Sequence, residues 1–273
     1  RDIPAPDLGT DAQTMAWLMD EFHRLEGFQP ACVTGKPVGL FGAPGREEAT
    51  GRGVAQITAA TLQQNGKKVE GATVAIQGFG KVGYWTAIGL ENLGLKVVAV
   101  SDVYGAVTGF SSVAELWKYF SEHGNLNMPG TDKLSQDELL HLPVDVLIPA
   151  ALSDAITEKT ALGVKAKIVV EGANAPTTPG GDHILNENGV LTVPDILANS
   201  GGVIVSYFEW VQDKQNFFWT AEEVKSNLNQ IMMRSFKEVE SMAKTKKVSW
   251  REAAHMIGVG RVAEAHKLRG LYP

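Results

Sequence analysis

Apolar positions along this chain change their period several times, and each change marks an element. Met15, Leu18, Met19 and Phe22 recur at helical spacing behind a capping box of Thr10 with Gln13, after Pro4 and Pro6 have held the first residues extended. Pro30 and the run Gly35-Lys36-Pro37 end that helix. Gly39 to Val54 reads GLFGAPGREEATGRGV, a glycine-rich loop running into a helix that carries Arg46, Glu48 and Thr50, and a helix holds from about Ala49 to Asn65. Thr73 to Ile76 is a short β-prone run, a helical stretch follows to about Leu93, and Lys96 to Val100 is a second strand ending on Asp102.

A polar stretch and a helix near Val113 to Tyr119 come next, then a loop with Gly124, Pro129 and Gly130. Two buried strands, Val144 to Ile148 closed by Pro149 and Lys167 to Val170, are joined through a short crossover helix over Thr157 to Leu162. From Pro194 the pattern turns helical. Asn199 to Trp210 is an apolar segment with two glycines, and two charged amphipathic helices follow, each opening on a capping box. The first pairs Thr220 with Glu223 and buries Val224, Leu228, Ile231, Ser235 and Val239; the second pairs Ser249 with Glu252 and buries Trp250, Ala253, Ala254 and Ile257.

Strands alternating with helices predict an α/β fold with a mostly parallel, Rossmann-like sheet. On such sheets ligands lie beyond the C-terminal strand ends, where Gly78, Asp102, Pro149 and Asn174 all fall. Gly71 to Asp102 carries the clearest chemistry. Gly78, Gly80 and Gly83 form G-x-G-x-x-G between strand and helix, with Phe79, Lys81 and Val82 completing the motif. Gly78 permits the tight turn, Gly80 leaves room for a pyrophosphate, and Gly83 lets the helix approach the sheet, so that phosphates meet N–H groups at the helix N-terminus. Asp102 stands where a carboxylate meets the adenine ribose hydroxyls. With 29 glycines in the chain the three glycines alone are weak; their order with strand, helix, strand and acid makes a dinucleotide site.

Composition narrows the rest. At 273 residues, 44% apolar and 21% charged, the chain is a globular protein of one or two domains. A net charge of -6 and a pI near 5.6 give no support for nucleic-acid or membrane-surface binding. The single cysteine, Cys32, has no partner for an internal disulfide or a zinc site, which suits a reducing cytoplasm. The six histidines lack ligand spacing, so no metal is expected, and His255 and His266 read as surface or interface residues. No apolar run approaches the roughly 18 residues of a membrane span. The start RDIPAPDLG is not a signal peptide, and a chain opening at Arg1 with two prolines by Pro6 reads as the inside of a longer protein.

Taken together, DIPAPDLGT, GREEATGRGV, GFGKVG, VVEGANAPTTP, NSGGVIVSYFEW and RVAEAHKLRG resemble the hexameric glutamate dehydrogenases of the wider glutamate, leucine, phenylalanine and valine dehydrogenase superfamily, over essentially the whole chain. The resemblance implies reversible oxidative deamination of L-glutamate to 2-oxoglutarate and ammonia with NAD, NADP being possible, in a homo-hexamer. Asp7 matches the catalytic aspartate; without the surrounding motif it is equally a loop carboxylate capping the helix at Thr10. Thr50 matches the residue holding the nicotinamide carboxamide, Arg46 lines the same cleft, and Asn174 lies near the nicotinamide ribose. Ala150 and Asn199 complete the implied cofactor contacts. Ser206 matches the serine that bonds the distal carboxylate of glutamate, with Val203 shaping the pocket.

Serine there favours glutamate over the leucine, valine and phenylalanine enzymes, which need an apolar pocket. A branched-chain or aromatic amino acid dehydrogenase, or a non-catalytic regulatory subunit, are the alternatives. The family's lysines for catalysis and carboxylate binding lie upstream of PAPD; Lys36, Lys67, Lys68 and Lys81 sit in loop, turn or cofactor-motif contexts and are not assigned that role. Asp102 should repel a 2′-phosphate, and no Lys or Arg follows it before Lys118, which favours NAD. The implied division is the end of a substrate domain at 1–35, a Rossmann domain at 36–196, and helices at 197–273 that return to a largely absent substrate domain.

Overall fold

A computed structural model describes residues 2–7 and 9–270. In chain order the elements are α1 (Ala12–Glu26), α2 (Ala49–Gln64), β1 (Thr73–Gln77), α3 (Lys81–Asn92), β2 (Lys96–Ser101), β3 (Ala106–Thr108), α4 (Val113–His123), β4 (Asp132–Leu134) and α5 (Gln136–Leu140). They continue with β5 (Val146–Pro149), α6 (Glu158–Ala161), β6 (Ile168–Val170), α7 (Pro179–Glu187), β7 (Leu191–Val193), α8 (Asp195–Ala198), α9 (Gly201–Gln215), α10 (Ala221–Lys246) and α11 (Trp250–Arg269). Short 3-10 turns occupy Pro30–Cys32 and Val38–Leu40.

Among the described residues the strands form one sheet in the order β4-β3-β2-β1-β5-β6-β7. It is parallel from β2 through β7 and antiparallel at the β2-β3-β4 edge. The central strands read as unbroken apolar runs because both faces are covered. Val74, Ile76, Val146, Ile148, Ile168 and Val170 face one core, and Ala75, Leu147 and Val169 the other. The first core also takes Val224, Leu228, Met232 and Phe236 of α10 and Ala253 and Ala254 of α11, so the C-terminal helices pack on the same face of the sheet as α2 and α3.

Several boundaries differ from the sequence expectation, each for a local reason. Helix α1 is capped by Asp11, whose side chain accepts from Thr14 N, because Thr10 is engaged in closing a turn with Asp7. Asp7 is therefore not the cap either. Leu18 is 44% exposed and Phe22 half-buried, while Met15, Ala16 and Met19 form the buried stripe. Arg46 lies in a turn and Glu48 at the N-cap, so of the three residues only Thr50 is within α2. On α10 the buried row runs Val224, Leu228, Met232, Phe236 and Val239, with Ile231 and Ser235 half-buried, because the stripe advances mostly in steps of four.

Strand β5 begins at Val146 rather than Val144 because Asp145 is drawn off by Thr73, whose N and Oγ1 both donate to Asp145 Oδ2 at 3.0 Å. Pro149 is inside the strand, and its carbonyl accepts from Gly172 N and Ala173 N. Both remaining capping boxes, at Thr220 and Ser249, form.

One ion cluster fastens α11 to the sheet. Arg251 Nη2 donates to Glu171 Oε1 at 2.6 Å and to Asp182 Oδ1 at 3.2 Å, and the Glu171 side chain is fully buried. Burial alone would lower the Arg251 guanidinium, but these carboxylates hold it well above the ordinary arginine value. Truncating Arg251 leaves Glu171 buried and uncompensated. Arg251→Met is expected to cost about 3–5 kcal/mol in urea unfolding; a change within about 0.5 kcal/mol would show the cluster is not holding the helix.

Candidate active site

The G-x-G-x-x-G turn is wedged in place by contacts that tolerate no side chain. Gly78 has φ +99°, its N donates to Ser101 Oγ at 3.1 Å, and a Cβ there would lie 2.7 Å from Ala151. A Cβ on Gly83 would lie 2.0 Å from the Gly78 carbonyl oxygen. Gly80 differs: a Cβ would meet nothing within 4 Å, and it is the N-cap of α3 with no side chain capping it. Open space facing an uncapped helix N-terminus fits a pyrophosphate. Lys81, Val82 and Gly83 contribute first-turn N–H groups. Phe79 offers only its backbone, since its ring is buried among Tyr84, Trp117 and Phe120.

Asp102 follows β2 and is half-buried. Its Oδ1 accepts from Tyr104 N at 2.7 Å and Gly105 N at 3.2 Å, and Oδ2 accepts from Leu126 N at 3.0 Å. The carboxylate thus organises its own loop, and one acceptor position on Oδ2 remains for a hydroxyl. Ala150 follows the end of β5, buried beside the turn.

Asn174 and Asn199 meet: Asn199 Nδ2 donates to Asn174 Oδ1 at 2.7 Å, and both side chains are near solvent. Ala175 beside them has φ +45°, which costs a residue with a Cβ of order 1–3 kcal/mol. A relay compensates it. Ala175 N donates to Asp195 Oδ2 at 2.7 Å, Asp195 N donates to Glu171 Oε2 at 2.9 Å, and Glu171 pairs with Arg251.

Across from this loop, α2 and α9 touch N-terminus to N-terminus. A Cβ on Gly201 would lie 2.2 Å from Ala49 O, and one on Gly202 would lie 2.4 Å from Thr50 Oγ1 and 3.4 Å from Arg46 Nη1. The two glycines let Thr50, Arg46 and α9 share one corner. There Arg46 Nε donates to Ser206 Oγ at 2.7 Å. Burial lowers the Arg46 guanidinium from its ordinary value, with Glu209 opposing the shift. Val203, one turn before Ser206, is 68% exposed on the same helix, and Ser206 is buried. Asp7 is exposed on the segment that precedes α1.

Three charged residues here carried no role in the sequence reading. Lys36, read as a loop lysine, is buried with Glu209 and Asp213, all three side chains without exposure. The available signal was Glu209 and Asp213 one turn apart on the helix that also carries Ser206 and whose first half is apolar. Burial pushes the Asp213 carboxyl up, against the pull of Lys36.

The Glutamate/Leucine/Phenylalanine/Valine dehydrogenase family profile matches residues 42–270. A glutamate dehydrogenase of Thermotoga maritima is 49% identical over 278 residues, covering 100% of this chain and 67% of that protein. The crystal structure of a hetero-hexameric glutamate dehydrogenase from Thermus thermophilus, in a Leu-bound form, superposes with a TM-score of 0.95 at 37% identity, covering 100% of this chain and 65% of that one. A glutamate dehydrogenase from Peptoniphilus asaccharolyticus gives 0.84 at 39% identity, covering 99% and 66%. The chain therefore spans about two thirds of the length of these relatives. With the G-x-G-x-x-G turn, the α2–α9 corner and a family match over most of its length, the chain belongs to the glutamate, leucine, phenylalanine and valine dehydrogenase family.

Proposed function

We propose that the protein oxidatively deaminates L-glutamate to 2-oxoglutarate and ammonia, reversibly, with NAD. The observation that carries this is the Arg46–Ser206 pair. A half-buried guanidinium is fixed through Nε, and among the described residues its two Nη groups donate no hydrogen bond. Such a donor set suits a carboxylate and does not suit a branched apolar side chain. Arg46 and Ser206 bind and orient the distal carboxylate, and Val203 walls the pocket beside them.

When bound, the nicotinamide dinucleotide supplies the hydride acceptor at the substrate α-carbon. Gly80, Lys81, Val82 and Gly83 would hold its pyrophosphate through backbone N–H groups, Gly78, its own N–H engaged by Ser101, makes the turn, Asp102 would take a ribose hydroxyl, and Ala150 borders the turn. Thr50, Asn174 and Asn199 hold the nicotinamide end. Asp7 moves protons at the amino nitrogen and at the attacking water. The negative charge of Asp102 supports NAD over NADP.

The division proposed is a dinucleotide unit at 36–196, with 1–35 and 197–273 assigned to the substrate side even though the buried faces of α10 and α11 share the core of the sheet. Assembly as a homo-hexamer and a cytoplasmic setting complete the reading; among the described residues no helix is long and apolar enough to cross a membrane.

The test is reductive amination of 2-oxoglutarate, 4-methyl-2-oxovalerate and phenylpyruvate with ammonia and NADH by the full-length enzyme. Glutamate formation should exceed the other two in kcat/KM by about a hundredfold or more. Ser206→Ala should cut that preference roughly tenfold. Faster turnover of an apolar 2-oxo acid would replace glutamate with an apolar amino acid, and no turnover with any of them would favour a regulatory subunit.

A further inference from the structure

Ser206 and Glu209 stand one turn apart on α9, and each holds a different part of the segment that leads into α2. Ser206 receives Arg46. Glu209 Oε1 accepts from Lys36 N at 3.2 Å and from Lys36 Nζ at 2.7 Å, while Oε2 accepts from Ala43 N at 3.1 Å. Three donors thus converge on a carboxylate that has no exposure, and all come from the loop ending at Arg46. Lys36 Nζ completes its shell with Val33 O and Asp213 Oδ2, each at 2.8 Å.

The same loop anchors the segment bearing Asp7. Thr34 N donates to Pro4 O at 2.9 Å, and a Cβ on Gly35 would lie 2.4 Å from Pro6 Cδ. Buried charge clusters are poor sources of stability compared with apolar packing, and here Asp213 Oδ1 is left without a partner while Glu209 takes three donors, so the convergence on Glu209 points to a demand for geometry. The charges also balance: Lys36 and Arg46 stand against Glu209 and Asp213, and Glu209 acts on both cations.

We propose that Glu209 is a positioning residue for substrate choice: by bonding Lys36 and Ala43 it fixes where the Arg46 guanidinium meets Ser206, and so sets the preference for 2-oxo acids with a distal carboxylate. This rests on Arg46 and Ser206 being that carboxylate's partners. Asp213 makes a useful contrast, because it bonds the same lysine but not Ala43.

The experiment compares kcat/KM for 2-oxoglutarate with that for 2-oxovalerate, which lacks the distal carboxylate, in the full-length enzyme. Glu209→Gln is expected to lower the ratio about tenfold through the KM for 2-oxoglutarate, with kcat for 2-oxovalerate unchanged. Asp213→Asn should lower Tm and keep the parent ratio. Lys36→Met/Glu209→Gln/Asp213→Asn removes all three buried charges together and leaves none unpaired, so it guards against a misfolded single variant, and the same fall is expected. Equal losses on both substrates, or an equal fall in Asp213→Asn, would overturn the proposal by making the cluster structural only. Ser206→Ala separates the two levels. If it keeps the ratio, the carboxylate pocket itself is wrong and the proposal falls with it; if it lowers the ratio while Glu209→Gln does not, only the positioning role fails.

Discussion

Asp7→Asn is expected to lower kcat for glutamate oxidation by about 10²–10⁴-fold, the range a positioned acid/base supplies, with NADH binding intact. The fold gives this variant unusual clarity. The Asp7 side chain is exposed, and its segment is held through the backbone: Asp7 N donates to Thr10 Oγ1, and Thr10 N and Oγ1 donate to Asp7 O. Asparagine has nearly the same shape and disturbs none of these bonds. Tm should therefore stay at the parent value, and the loss is chemical. A drop in kcat of less than about threefold would remove Asp7 from the chemistry.

The second large effect concerns the G-x-G-x-x-G turn, where two glycines a turn apart are expected to separate folding from binding. At Gly83 a methyl group would lie 2.0 Å from the Gly78 carbonyl oxygen and 2.9 Å from its carbon, backbone atoms themselves pinned by Ser101 and Ala151. Gly83→Ala is expected to cost about 1–3 kcal/mol of stability from overpacking, and to displace the turn. At Gly80 the methyl meets no protein atom, and the backbone is in an ordinary extended conformation. Gly80→Ala should leave Tm unchanged while NADH affinity falls about a hundredfold, because the space it fills is the one a pyrophosphate needs. Unchanged affinity in Gly80→Ala, measured by titration calorimetry, would mean that the phosphates lie elsewhere.

How much of this was readable in advance depended on whether an element's cause was local. Strands β1, β2, β5 and β6 and helices α2 and α3 were legible because buried parallel strands leave continuous apolar runs and the intervening turns carry glycine. Strands β3, β4 and β7 were not. Each has three residues, and they exist through pairing with neighbours already in the sheet. The Thr220 and Ser249 caps followed from their own spacing, whereas Thr10 lost its cap role to Asp11 through a turn with Asp7.

The site divides in the same way. Gly78, Gly80, Gly83 and Asp102 were picked out as candidates by their spacing along one strand–helix–strand unit. The Arg46–Ser206 bond joins residues 160 positions apart, and the Lys36–Glu209 pair 173 apart, so no periodicity records them. A lysine between glycine and proline reads as a loop residue until α9 is laid across it.

Everything proposed for catalysis depends on a dinucleotide seated on Gly78 to Asp102. The most direct measurement is calorimetric titration of the protein with NADH and, separately, NADPH. Saturable binding of NADH, tighter than NADPH and lost in Gly80→Val, is the expected result. No saturable binding of either nucleotide, or binding that Gly80→Val leaves intact, would contradict it.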